Sequence, residues 1–209
     1  MKSAETFWNG LAERYAEMPV KDPEAFQAKI EATRARLSPQ DVILEVGCGT
    51  GSLALELSPS VAHIHATDLS SEMLRIARGK VADRGVENIT FHQAAVAELG
   101  FEPEGFDMVC AFSILHLVDD RDEALRILYR LLKPGGSLVS STVCLGESRI
   151  PFGLFLPLLR WIGKAPAVRI FDAQQLEQSI RDAGFIDVEN RNVAQDDKVA
   201  FVLARRPRD

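Results

Sequence analysis

The apolar positions fall into short runs of two kinds that take turns along the chain. Asp41–Val46 (D-V-I-L-E-V), His63–Asp68 (H-I-H-A-T-D), Ile89–His92, Phe106–Phe112 (F-D-M-V-C-A-F) and Ser137–Val143 are apolar or β-branched and bounded by turn formers. They predict five strands, buried at least in part. Between them, Leu53–Leu57, Glu72–Val81 and Asp122–Leu132 predict helices, the last with Leu125, Leu128 and Leu132 on one face. Ser70 can cap the second of these helices, and Asp119 or Asp120 the third. Lys133-Pro134-Gly135-Gly136 predicts a sharp turn before the fifth strand. Strands alternating with helices in this way imply a parallel sheet covered on both faces.

The two ends of the chain depart from that alternation. The first forty residues read as helical. Asp22-Pro23 is a cap and first-turn pair, Phe26, Ile30, Thr33 and Leu37 follow at helical spacing, and Ser38-Pro39 closes the helix. Near the other end, Asp172–Ala183 predicts a helix with Asp172 and Gln175 as a capping box and Gly184 as its stop. Phe185–Val193 and Val199–Ala204 then predict two strands joined by the polar turn Gln195–Lys198. A hairpin sets its second strand antiparallel to the first.

The expectation is one doubly wound α/β domain with a mostly parallel, seven-stranded sheet and an antiparallel C-terminal strand. Residues 1–40 would form a helical cap, 41–143 a cofactor-binding core, 144–170 an insertion over the substrate, and 171–209 a terminal helix and hairpin. A chain of 209 residues is long enough for one such core. A formal net charge of -6 leaves no basic face for a nucleic acid, which is therefore not an expected partner. Arg205, Arg206 and Arg208 read as a solvated tail. Cys48, Cys110 and Cys144 are widely separated and form no C-x-x-C pair, so no metal site or redox motif is expected. The odd cysteine count and the absence of an apolar leader in Met1–Gly10 point to the cytoplasm. The apolar stretch Ile150–Ile162 is interrupted by Pro151, Gly153, Pro157 and Arg160 and is too short to span a bilayer. It reads either as a lid over an apolar or aromatic substrate, or as a dimer contact or packed helix, so monomer and homodimer both stay open.

The chemistry concentrates at the end of the first strand. Glu45-Val46-Gly47-Cys48-Gly49-Thr50-Gly51 places glycines where a ligand binds an open parallel sheet, beyond the carboxyl ends of its strands. The spacing is G-x-G-x-G, and Ser52 stands where the dinucleotide fingerprint has its last glycine. Glu45 would repel a pyrophosphate and attract an ammonium group. Asp68 ends the second strand, where an acid can bind both ribose hydroxyls of a nucleoside. Cys48 suits the loop as a small apolar residue with no reactive role.

This loop, with Asp68-Leu69-Ser70, Phe106-Asp107-Met108-Val109 and Leu131-Leu132-Lys133-Pro134-Gly135-Gly136, resembles the ordered motifs of class I S-adenosylmethionine-dependent methyltransferases. The small-molecule, ubiquinone-biosynthesis-like branch is the nearest in flavour. The resemblance covers Asp41–Val143 in detail, and the terminal hairpin matches as well. It implies S-adenosyl-L-methionine as methyl donor, S-adenosyl-L-homocysteine as product and a small acceptor, apolar or aromatic. It implies donor contacts at Glu45, Gly47, Cys48, Gly49, Gly51 and Asp68. Leu69 and Met73 would hold the adenine, the backbone at Ala95 and Val96 its edge, and Ala111 and Phe112 the methionine portion. Ala95 departs from the acid usual at that place, for which Glu98 is a possible substitute. In related enzymes an N-terminal segment folds over the donor, which gives Tyr15 a contact to donor or acceptor and Trp8 an anchoring role. His116, after the fourth strand, is the candidate base or acceptor-orienting group, with a structural role as its alternative. The competing readings are a non-catalytic donor-binding regulatory protein and an NAD(P)-dependent reductase.

Overall fold

The structure, a computed structural model, describes residues 3–146, 166–191, 193 and 198–208. Helices α1 (Ala4–Glu17) and α2 (Pro23–Arg34) precede strand β1 (Val42–Val46). Then follow α3 (Ser52–Leu57), β2 (His63–Asp68), α4 (Ser71–Asp83), β3 (Ile89–Gln93), β4 (Phe106–Phe112), α5 (Arg121–Leu131), β5 (Leu132–Val143), α6 (Ala173–Asp182), β6 (Ile186–Arg191) and β7 (Val199–Arg205). The segment Ile150–Ile162 and most of the turn before β7 lie outside the described residues.

The strands make one seven-stranded sheet in the order β3-β2-β1-β4-β5-β7-β6. All neighbours are parallel except β7, which runs antiparallel to both β5 and β6. The expected caps are present. Asp22, Ser70, Asp120 and Asp172 each accept a bond from a first-turn N–H, and the Gln175 side chain in turn accepts the Asp172 N–H. Gly184, at φ +101°, ends α6 in the left-handed conformation a helix stop favours.

Each sheet face carries its own core. Ile30 of α2, Leu53 and Leu57 of α3 and Leu74 of α4 pack with Ile43, Ile64 and Met108 on one face. Leu125 and Leu128 of α5 and Leu176 and Ile180 of α6 pack with Leu44, Val109 and Leu138 on the other. That second face is covered unevenly. The link from β3 to β4 contains a single 3-10 turn, Val96–Glu98, in place of a helix, so the β2–β3 portion has no helix over it.

Two sequence expectations are corrected. The Lys133–Gly136 turn lies inside β5 rather than before it: Phe106 pairs with Leu132 and Met108 with Ser137, so the intervening residues bulge out of the ladder. A side chain on Gly136 would place its Cβ 2.9 Å from the Lys133 carbonyl. Lys133 Nζ closes the bulge by donating to both Asp107 oxygens at 2.8 Å, and Asp107 also accepts the Val42 N–H that opens β1. The basic cluster is not a solvated tail throughout. Arg206 donates to the Leu132 carbonyl at 2.6 Å and to Glu104 at 2.6 Å, and its guanidinium lies 4.9 Å from the Tyr129 ring centroid. It thereby serves the carbonyls left open at the end of α5.

Candidate active site

The strand order reverses between β1 and β4, the place where an open α/β sheet leaves a crevice for ligands. The loop that leaves β1 there depends on backbone that only glycine adopts freely: Gly47, Gly49 and Gly51 have φ of +67°, +54° and +74°. A Cβ on Gly47 would stand 2.8 Å from Ile114 Cδ1, and one on Gly51 would stand 3.0 Å from Ala77 Cβ. Gly51 therefore serves the packing of α4, and it is not on the cavity wall. Gly49 is different. Its missing side chain leaves only Tyr15 Cε1 nearby, at 3.7 Å, so bare backbone faces the crevice.

Asp68, at the end of β2, is tied to this loop. Its Oδ2 accepts the Gly49 N–H at 2.9 Å and its Oδ1 the Ser70 N–H at 2.8 Å. Burial raises its pKa, and the backbone N–H groups oppose that rise. Each oxygen still has a lone pair for a further donor. The carboxylate is thus aimed into the crevice by its own loop.

Glu45 carries the most unusual electrostatics. It is only 4% exposed, and its Oε2 is buried with no hydrogen-bond partner. Loss of solvent, with Asp68 repelling it, raises its pKa to about 8, against a lowering bond from the Ala54 N–H. A buried carboxylate oxygen left unsatisfied is costly and calls for a missing donor or cation.

These groups share one cavity of about 900 Å³. Gly47, Cys48, Leu69 and Met73 line it, as do Ala95, Val96 and Phe112. Tyr15 reaches it from α1, where Trp8 meets Tyr15 edge to face at 6.4 Å. Burial first, then Asp68 and Glu45, raises the Tyr15 pKa and keeps the phenol protonated. Burial likewise raises the Cys48 thiol pKa, so no reactive thiolate forms in the loop.

Other candidates fall elsewhere. Ala111 is fully buried in the sheet and Glu98 is exposed, and neither lines the cavity. His116 is off the wall as well, although Ile114, Leu117 and Val118 around it are on it. The residue is 8% exposed with Nδ1 unpartnered, and burial lowers its pKa to about 4, so it is neutral at pH 7.

Several wall features were not expected from the sequence. Lys80 donates to Thr50 Oγ1 at 2.8 Å, bringing α4 to the glycine loop. Ser113 adopts φ +55° beyond β4 and donates its N–H to the Ser141 carbonyl. Asn9 Oδ1 accepts from Ser70 Oγ at 2.6 Å and from the Glu72 N–H at 3.2 Å, which fastens α1 over the start of α4. No local pattern announces such contacts; Asn9 and Ser70 are 61 positions apart.

Comparison with known proteins decides what the crevice belongs to. Residues 43–136 match the family described as methyltransferase domain. The ubiquinone/menaquinone biosynthesis C-methyltransferase UbiE of Vibrio parahaemolyticus is 32% identical over 185 residues, covering 78% of this chain and 71% of its own length. The chain belongs to the class I S-adenosylmethionine-dependent methyltransferase family. A demethylmenaquinone methyltransferase of Lactococcus lactis is 33% identical over 70% of this chain and 66% of its own length. Further relatives with the first description align over only 43% of theirs. Among solved structures, phosphoethanolamine N-methyltransferase 2 of Haemonchus contortus, in complex with S-adenosyl-L-methionine, has a TM-score of 0.79 at 19% identity, covering 99% of this chain and 60% of that one. It establishes likeness of fold. The family's cofactor is S-adenosyl-L-methionine, and the wall fits it: an orphaned buried carboxylate suits an ammonium group, and no phosphate need be accommodated.

Proposed function

We propose that this chain transfers a methyl group from S-adenosyl-L-methionine to a small acceptor of apolar or aromatic character. The unpartnered Oε2 of Glu45 carries the reading, because it supplies the anion that an amino-acid ammonium would neutralise and that a pyrophosphate would not tolerate. In this proposal Glu45 holds the donor's ammonium, Asp68 the ribose hydroxyls, and the Gly49 backbone the chain between them. Leu69 and Met73 flank the adenine, with Ala95 and Val96 at its edge. Phe112 and the protonated Tyr15 face the reacting end.

The donor's sulfonium supplies an activated methyl, so the protein's work is to position the acceptor in line and exclude water. Met18, Val20, Phe26, Ile114 and Leu117 also line the cavity, alongside charged residues such as Asp22, Asp119 and Glu123, and supply the apolar surface that this reading assigns to the acceptor. The quinone-biosynthesis names of the relatives are in keeping with that chemistry. His116, buried, neutral and off the cavity wall, is not the group that takes a proton from the acceptor in this proposal. The buried thiols of Cys48 and Cys110 accord with a reducing, cytoplasmic setting. Among the described residues no helix is long and apolar enough to cross a membrane.

The test is transfer of a labelled methyl group from S-adenosyl-L-methionine to a panel of phenols, quinols, amines and thiols. Turnover of aromatic or apolar members supports the proposal. Donor binding without turnover of any of them would favour a regulatory, non-catalytic protein.

A further inference from the structure

Three of the chain's four histidines gather on one patch of the sheet, outside the donor cavity. His63 and His65 lie on the same face of β2, and His92 on β3 comes alongside them because Thr90 pairs with His65 and Thr67 with His92. His65 Nδ1 stands 3.0 Å from His92 Nε2, and the two rings stack at 29° with centroids 5.2 Å apart. The His63 ring centroid is 4.8 Å from that of His65, and its Nε2 is 2.9 Å from Thr90 Oγ1.

This is the portion of the sheet without a covering helix. Phe101 and Phe106 pack on the imidazoles from one side, within 6 Å of the His65 ring, and the histidines are otherwise half open to solvent. A patch meant only to close the core would be served by apolar side chains here. Three imidazoles instead bring ring nitrogens to a partly open surface, where His65 Nδ1 and His92 Nε2 share one hydrogen bond and His63 Nε2 bonds Thr90 Oγ1.

We propose that His65 and His92 form a two-imidazole clamp for a divalent transition metal of the Cu(II) or Ni(II) class. The separation supports it. With metal–nitrogen bonds of about 2.0 to 2.1 Å, two adjacent ligands of a tetragonal ion sit roughly 2.9 Å apart, and those of a tetrahedral ion about 3.3 Å apart. The observed 3.0 Å, spanned here by a hydrogen bond, is short enough for one ion to take both nitrogens once the bridging proton moves to the other nitrogen of its ring. No three histidines, cysteines or acids among the described residues converge on one point, so water would complete the coordination. A bound ion would staple β2 to the edge strand β3.

The experiment uses full-length protein without a histidine tag, titrated with CuCl2, NiCl2 and ZnCl2 by calorimetry, with electron paramagnetic resonance of the Cu(II) form. One equivalent should bind, Cu(II) most tightly. The resonance should show two equatorial imidazole nitrogens, which reads the site without any variant. His65→Gln and His92→Gln should each weaken Cu(II) by more than about a hundredfold, beyond the usual loss of an outer-shell partner. Thermal unfolding should shift upward with Cu(II) in the wild type and not in the double variant. Absence of stoichiometric uptake, a spectrum without two imidazoles, or unchanged affinity in the folded double variant would each overturn the proposal.

Discussion

Glu45 gives the most quantitative test of how the donor is held. Its pKa of about 8 means that roughly a tenth of the carboxyl is ionised at pH 7 before the donor arrives. An arriving ammonium needs the ionised form, so binding must expel close to one proton at that pH. The ammonium of S-adenosyl-L-homocysteine, that of a free amino acid, stays charged across this interval. Affinity should therefore rise roughly ninefold between pH 6 and pH 7, then flatten as pH passes the Glu45 value. The Glu45→Gln variant has no proton to release, and its affinity should be nearly flat over that interval. Calorimetry with S-adenosyl-L-homocysteine in buffers of different ionisation enthalpy reads both the proton and the affinity. Release of no proton by the wild type, or the same pH dependence in Glu45→Gln, would refute the pairing. The sign for stability runs the opposite way. A folded-state pKa above the unfolded one favours folding below about pH 4.5, and that contribution is lost as pH climbs through about 8. Without donor, Glu45→Gln should therefore unfold at higher temperature than wild type at pH 8.5 and lose that advantage at pH 4.5.

Three further substitutions test other parts of the account. Asp68→Asn should weaken S-adenosyl-L-homocysteine by at least about tenfold, since bonds to a charged acceptor contribute about 1.5 to 3 kcal/mol; unchanged affinity would place the ribose elsewhere. Gly47→Ala puts a Cβ against Ile114 at φ +67° and should cost about 1 to 3 kcal/mol in denaturant unfolding, part of it recovered by adding Ile114→Ala; no loss would mean the loop is softer than drawn. Arg206→Ala should destabilise by roughly 2 to 3 kcal/mol in the same assay, against near zero for the solvated tail that the sequence suggested.

Much of the core could be read from pattern alone. β2 and β4 span His63–Asp68 and Phe106–Phe112 as their apolar runs imply, and the α6 capping box forms between Asp172 and Gln175. These features are local: one strand period, or one helix turn, holds the whole signal. The Lys133–Gly136 bulge escaped because a turn-forming tetrapeptide looks the same whether it ends a strand or buckles out of one. Arg206 escaped because its partners come from the junction of α5 and β5 and from the link before β4, more than 70 positions away. In the site, Glu45, Gly49 and Asp68 were legible because loop and strand end lie where a βα unit must bring them together. The packing of Gly51 against Ala77 was not legible, since a glycine that admits a helix and one that admits a cofactor carry the same letter. His116 sits one residue from a wall residue, and sequence spacing alone does not resolve which side of a short loop a ring takes.

The central claim is that the crevice formed by Glu45, Gly49 and Asp68 takes S-adenosyl-L-methionine. The direct measurement is calorimetric titration of the purified chain with S-adenosyl-L-homocysteine and, in parallel, with NADPH. One equivalent of S-adenosyl-L-homocysteine should bind with saturable heat and NADPH should give none. Saturable binding of NADPH, with none of S-adenosyl-L-homocysteine, would contradict the account.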